Sequence, residues 1–239
     1  MHLRSPRHLR SPRHLRSPLR SLLVAALAVL ASLTLHQAAF AQVAVAGSGK
    51  VATVTRSVAA FDSIGVEDGI ELSVRIGPVA SVQLRGDDNL LPLVETTVSK
   101  RSLKLRLASG VGAARPSTPL RAIIVVPKLT ALSVDGSGDA EVTGLAARAF
   151  SLGLSGAGRV RLSGTADKLQ LGLEGSGHIE ATELVAASAS VGLQGAGAVR
   201  LHATRAVTAA ISGEGVIEVH GKPPSVTQAI DGKGELRVL

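Results

Sequence analysis

The sequence predicts an all-β protein, a parallel β-helix or β-solenoid with coils of about 19–20 residues, and three observations carry that prediction. No window beyond residue 41 repeats apolar residues at helical spacing for three turns, whereas apolar and polar residues alternate with a period of two throughout, as half-buried strands require. A Gly-x-Gly triplet returns six times, beginning at Gly136, Gly156, Gly175, Gly195, Gly213 and Gly232, at intervals of 20, 19, 20, 18 and 19 residues. Hydrophobic residues make up 45% of the 239 positions, yet there is no Cys, Trp or Tyr and only 3 Phe. A narrow interior filled by Ala, Ser, Leu and Val fits that composition, and a wide core built on rings does not.

Residues 1–41 read as a signal peptide with a low-complexity basic n-region. Leu3-Arg4-Ser5-Pro6 recurs as Leu9-Arg10-Ser11-Pro12 and Leu15-Arg16-Ser17-Pro18, an apolar run follows from Leu22 to Leu35, and Ala39-Phe40-Ala41 supplies a small-residue cleavage site before Gln42. The run is shorter than the roughly 20 residues a helix needs to cross a bilayer, so no integral membrane segment is expected after cleavage. The net charge of +8 belongs mostly to this stretch, which holds six of the 26 Lys and Arg and none of the 18 Asp and Glu. The remainder is nearly neutral, and nucleic acid is not an expected partner. The expected destination is the periplasm, the cell surface or the exterior.

Residues 42–239 read as a single β-solenoid domain, with first strands over 42–130 and Gly-x-Gly coils over 131–239. Ile70, Leu72, Val74 and Ile76 alternate with Glu71, Ser73 and Arg75, and Leu103, Leu105 and Leu107 alternate with Lys104 and Arg106, so each stretch has one face for the core. Asp87-Asp88-Asn89 is a turn cluster, and residues 108–119, rich in Gly, Ala, Ser and Pro, read as a flexible loop. Ile123 to Val126 is a short buried strand that Pro127 ends.

In the coils, each triplet lies between an apolar strand and a second short strand, such as Val160/Leu162, Val199/Leu201 or Ile217/Val219. A unit of this length cannot close a core alone, so the next copy must cover its apolar face. Stacking then puts the same position of successive coils in register. Corners that need positive φ or a close approach of backbone exclude a Cβ, which assigns Gly136, Gly138, Gly156, Gly158, Gly175, Gly177, Gly195, Gly197, Gly213, Gly215, Gly232 and Gly234 to structural corners.

Motifs with chemical content fall short of their requirements. Gly47-Ser48-Gly49-Lys50 lacks the leading Gly and trailing Ser or Thr of a phosphate loop, with Ala44 and Val51 in those places. Gly153-Leu154-Ser155-Gly156-Ala157 misses the final Gly of a nucleophile elbow. Asp135-Gly136-Ser137-Gly138-Asp139 is similar to a calcium β-roll repeat, but its acids do not recur coil after coil. His178, His202 and His220 have neither i, i+4 spacing nor a clustered acid, so no metal or cofactor is expected. A glycosidase needs two carboxylates about 5 to 9.5 Å apart; Asp135 and Glu174 supply a pair two coils apart.

The residue before the triplet is always polar: Asp135, Ser155, Glu174, Gln194, Ser212, Asp231. The residue after it varies: Asp139, Arg159, His178, Ala198, Val216, Glu235. Because solenoids bind along extended faces, Asp135, Glu174, Gln194 and Asp231, with Asp139, Arg159 and His178, are the candidate binding residues.

Phe61-Asp62-Ser63-Ile64-Gly65-Val66, the stretch from Val82 to Leu91, Leu103-Lys104-Leu105, Val126-Pro127-Lys128-Leu129 and Val134-Asp135-Gly136-Ser137-Gly138-Asp139 together resemble the putative autotransporter adhesin head GIN domain family, over nearly all of residues 50–239. The resemblance implies an exported, β-helical bacterial envelope protein and brings no catalytic residues. The chain itself shows no tilted, aromatic-girdled strands of a membrane barrel. The expectation is therefore a non-enzymatic, adhesin-like binding module whose partner is an envelope or surface protein or a glycan. A polysaccharide-active β-helix enzyme and a self-assembling structural element are the alternatives.

Overall fold

The computed structural model describes residues 43–109 and 111–239, so the leader assigned to residues 1–41 lies outside them. The described chain forms seventeen strands: β1 (Val43–Ala46), β2 (Val51–Arg56), β3 (Ser63–Val66), β4 (Glu71–Ile76), β5 (Ser81–Asp87), β6 (Val94–Ser99), β7 (Ser102–Leu107), β8 (Val111–Arg115), β9 (Arg121–Val126), β10 (Ala131–Gly136), β11 (Ala140–Gly156), β12 (Arg159–Gly175), β13 (His178–Gly195), β14 (Ala198–Gly213), β15 (Val216–His220), β16 (Ser225–Gly232) and β17 (Glu235–Val238). Fifteen of them hydrogen-bond into one sheet, and β1 with β8 makes a small second one.

From β10 onward the ladders are parallel, and each coil lies on the one before it. The alternation in the sequence produces this arrangement directly. In β12 the inward positions are Val160 and Leu162, then Ala166, then Leu169, Leu171 and Leu173, and each break in the count of two marks a bend in the wall. The strands are longer than the two short ones per repeat expected from the pattern, because the ladder carries on around the bends with only local register shifts, as between Arg161 and Ser163.

Stacking turns single residues into columns of core. Val134, Leu154, Leu173, Leu193 and Ile211 are consecutive partners, each no more than 3% exposed. Burial of such a side chain is worth about 1.5–3 kcal/mol, and no coil achieves it alone. The expectation of Ser inside is corrected: among the described residues the fully buried set is aliphatic or Phe, with Asp87 as its polar member. A hydroxyl inside would need a partner, and the walls spend their backbone groups on the neighbouring coils.

The rod begins out of sequence order. β3 and β4 form a coil that pairs on one side with β10 and β11, and on the other with β7 and β9, although β7 and β9 come later in the chain. Antiparallel strands then close this end: β6 on β7, β5 on β9 and β2 on β5. A 3-10 turn at Leu91–Leu93 helps cover the interior, with Leu90 and Leu91 fully buried.

The flexible loop expected over 108–119 is also corrected. It contains β8, which runs parallel to β1. The buried Asp87 carboxylate fastens the segment by accepting hydrogen bonds from the backbone N–H groups of Ser117 (2.7 Å), Thr118 (3.2 Å) and Gly49 (3.1 Å). Gly- and Ser-rich composition suggested mobility, but a long-range carboxylate decided the outcome.

Candidate functional site

The corners set the geometry of the walls on either side. Gly136, Gly156, Gly175, Gly195, Gly213 and Gly232 stand in one unbroken register file. At Gly175 φ is +113°, and a Cβ there would sit 2.5 Å from the carbonyl oxygen of Gly156. That carbonyl accepts the N–H of Ser176 at 3.0 Å, so the hydrogen-bond ladder runs around the corner and leaves no space for a side chain.

On the wall leading into the corner, three outward columns run along the rod. The column just before the glycines holds Asp135, Ser155, Glu174, Gln194, Ser212 and Asp231 in register. Two residues earlier stands a column of small residues: Ser133, Gly153, Gly172, Gly192, Ala210 and Ala229. Beyond it lie Ala131, Ser151, Gln170, Ser190, Thr208 and Thr227. The small column is the floor of an open groove of about 680 Å³, and the polar column before the corner is its rim. Six rungs at the spacing of paired strands give it a length of about 24 Å.

The floor glycines are unlike the corner ones. A Cβ at Gly153 or Gly192 would meet nothing within 4 Å, and at Gly172 only the Leu152 carbonyl at 3.8 Å. None of the three has positive φ. Neither backbone conformation nor internal packing calls for glycine here. The groove lining carries Asp135, Glu174 and Asp231 and no basic residue.

Of the expected binding residues, Asp135, Glu174, Gln194 and Asp231 come together on this rim. Asp139, Arg159 and His178 do not line the groove, because they lie past the corner on the next wall. There the Asp139 carboxylate accepts the backbone N–H of Arg159 at 3.1 Å, which ties one coil to the next. The carboxylates of Asp135 and Glu174 are exposed and two rungs apart, about 9.6 Å on strand spacing, at the outer limit for a hydrolytic pair. His202 and His220 are register partners on β14 and β15, with His178 on another column, and no group of three or more metal-ligating side chains occurs among the described residues. In the Gly47–Lys50 loop the N–H groups of Gly47, Ser48, Gly49 and Lys50 are already given to the Arg115 carbonyl, Asn89, Asp87 and the Ser48 hydroxyl, so the loop has none left to cradle a phosphate.

Sequence reasoning missed the floor column, although Gly153, Gly172 and Gly192 each stand three residues before a triplet. It also missed a ladder of charges on the wall beyond the corner. Glu141, Arg161, Glu180, Arg200, Glu218 and Arg237 are consecutive partners and alternate in sign at every rung. Arg200 reaches Glu218 at 2.7 Å and Glu180 at 3.4 Å. The hydrogen bond to Glu218, followed by its charge, raises the Arg200 pKa. Arg237 pairs with Glu235 at 2.7 Å, which lowers the Glu235 pKa chiefly through that hydrogen bond. Each of the six ladder residues from Glu141 to Arg237 sits three places after a triplet, and that offset is the signal that finds them.

The fold has solved counterparts. A putative adhesin from Bacteroides fragilis NCTC 9343 superposes with a TM-score of 0.68 at 24% identity, covering 82% of this chain and 100% of that one. A putative lipid binding protein from Parabacteroides distasonis ATCC 8503 does so with a TM-score of 0.52 at 19% identity, over 82% and 100% of the two chains. A putative adhesin from Parabacteroides merdae ATCC 43184 gives 0.51 at 17% identity, over 82% and 99%. At these identities the likeness concerns the fold. No curated protein matches the chain. The family model described as putative auto-transporter adhesin, head GIN domain, matches residues 60–223, most of the described rod, and the chain belongs to that family.

Proposed function

We propose that the protein is an exported, non-enzymatic binding module that holds an extended chain along the groove of the β10–β16 wall. The observation that carries this reading is the floor of small residues, where glycine is kept at three rungs without any demand from φ or packing. Glycine weakens a strand interior, and a strand keeps it where another backbone or a ligand comes close. A Gly and Ala strip flanked by a hydrogen-bonding rim lets a flat, extended chain lie on the wall.

The three carboxylates and the missing base favour a neutral or cationic ligand, either a polyhydroxylated glycan or an extended peptide segment of an envelope or surface protein. About seven extended residues fill 24 Å. Floor carbonyl and N–H groups are spent in the ladders, so recognition falls to Asp135, Glu174, Gln194 and Asp231. The lipid-binding description of the Parabacteroides distasonis protein suggests a second ligand class, but an acyl chain needs a continuous apolar lining and this rim bears three carboxylates. Glycan hydrolysis is less well supported, because its two carboxylates stand at the outer limit of separation and neither is buried.

The test is a glycan and peptide array probed with the wild-type chain and with Gly172→Leu and Gly192→Leu, where a Cβ meets no atom of the rod closer than 3.8 Å and the added side chain rises into the groove. Signals that vanish in both variants while the melting curve stays unchanged are expected. An identical array profile in the filled variants overturns the groove as the site.

A further inference from the structure

The two ends of the rod are finished differently. At the β6 end the interior is closed by antiparallel strands and Leu90, Leu91 and Val94. At the other end the same core columns run out uncovered. Ile211 is 3% exposed, but its partner on the last coil, Ile230, is 41% exposed; Val226 and Val238 in equivalent inward positions are 38% and 48% exposed. β16 pairs with β14 and β17 with β15, each on one side, and their outer edges carry no ladder among the described residues. An uncovered apolar coil with free backbone edges is a template for another strand.

The charge ladder says what fits there. Every rung from Glu141 to Glu218 has an opposite charge in register above it, and on the last described coil Arg237 is held by Glu218 of the coil before at 3.5 Å and by Glu235 of its own strand at 2.7 Å. β17 reads Glu235-Leu236-Arg237, which is self-complementary in an antiparallel pair centred on Leu236: Glu235 of each copy faces Arg237 of the other. We propose that this end is a homodimer interface, in which two copies meet end to end about a two-fold axis through Leu236. The axis continues the alternating ladder across the junction with two reciprocal ion pairs and turns the rims of Val226, Ile230 and Val238 against each other. Because the contact is isologous and the opposite end is closed, assembly stops at two.

The experiment is sedimentation of the chain over a concentration series, beside Arg237→Glu, the double swap Glu235→Arg with Arg237→Glu, and Ile230→Asp, with thermal melts to confirm folding. Expected are a concentration-dependent dimer, at least a tenfold weaker dimer for Arg237→Glu, recovery in the double swap, and a monomer for Ile230→Asp. A wild-type chain that stays monomeric to 0.5 mM overturns the proposal. So does a dimer that Arg237→Glu and Ile230→Asp both leave intact, since that dimer uses another surface. Should Ile230→Asp fail to fold, Val226→Asp at the same exposed rim replaces it. Gly172→Leu, which fills the groove, leaves the dimer unchanged, so failure of this interface is distinguishable from failure of the groove.

Discussion

The corner file is all glycine and the groove floor is half glycine; the two columns stand three residues apart on the same wall, and their glycines obey different physics. At the corner, Gly175 has φ +113° and its missing Cβ is replaced by a carbonyl of the coil below. On the floor, Gly172 lacks positive φ and a Cβ there would make only an ordinary contact, 3.8 Å from the Leu152 carbonyl. The first glycine is a condition of folding; the second has no purpose inside the rod. Recurrence in a repeat therefore does not by itself separate a structural residue from one kept for a ligand, whereas backbone conformation and the space around a Cβ do.

The largest effect that would break this contrast lies at the corner. Gly175→Ala forces a residue with a Cβ into a strained φ against a backbone carbonyl that cannot yield, and it is expected to cost about 3 kcal/mol or more. Urea denaturation reads this as a fall in midpoint at constant slope, and an unchanged midpoint would refute the account of the corners. At the floor, Gly172→Ala is expected to leave stability unchanged or to raise it by about 0.5–1 kcal/mol, since the unfolded chain loses freedom and the strand gains a side chain. A clear loss in the same urea series would return the floor glycines to a structural role.

The smallest effect concerns the charged wall beyond the corner. Arg237 holds the Glu235 carboxyl below the usual carboxylate range. A lowered folded-state pKa contributes stability that is complete above the unfolded value and is lost as pH falls through the folded one. Glu235→Gln should therefore reduce stability slightly at pH 7, the difference should vanish well below the ordinary carboxylate range, and added salt should shrink it, since the pair is exposed. Paired thermal melts at the two pH values measure it. A difference that persists in acid would assign it to something other than the ion pair.

Much of the rod was legible because its determinants are local and repeated. Period-two alternation gives the inward face of β4, β7 and β12, and the triplet interval gives the length of a coil. The polar column from Asp135 to Asp231 could be aligned from the triplets alone. Residues 108–119 were misread because their composition is that of a loop, while Asp87, thirty residues from Ser117, supplies the acceptor that orders them. Asp139, Arg159 and His178 were grouped with the rim because sequence places each four residues after a rim residue, and a corner turns them onto another wall.

By itself the sequence determined the fold class, the coil period and the glycines at the corners, since strand alternation and positive φ are properties of a few consecutive residues. Only the tertiary structure decided that the coil of β3 and β4 lies between later strands, that the floor glycines are unneeded by the rod, and that one end is closed while the other is open. Those outcomes depend on which segments become neighbours across the stack, and a one-dimensional pattern carries no distance between residues that pair only after folding.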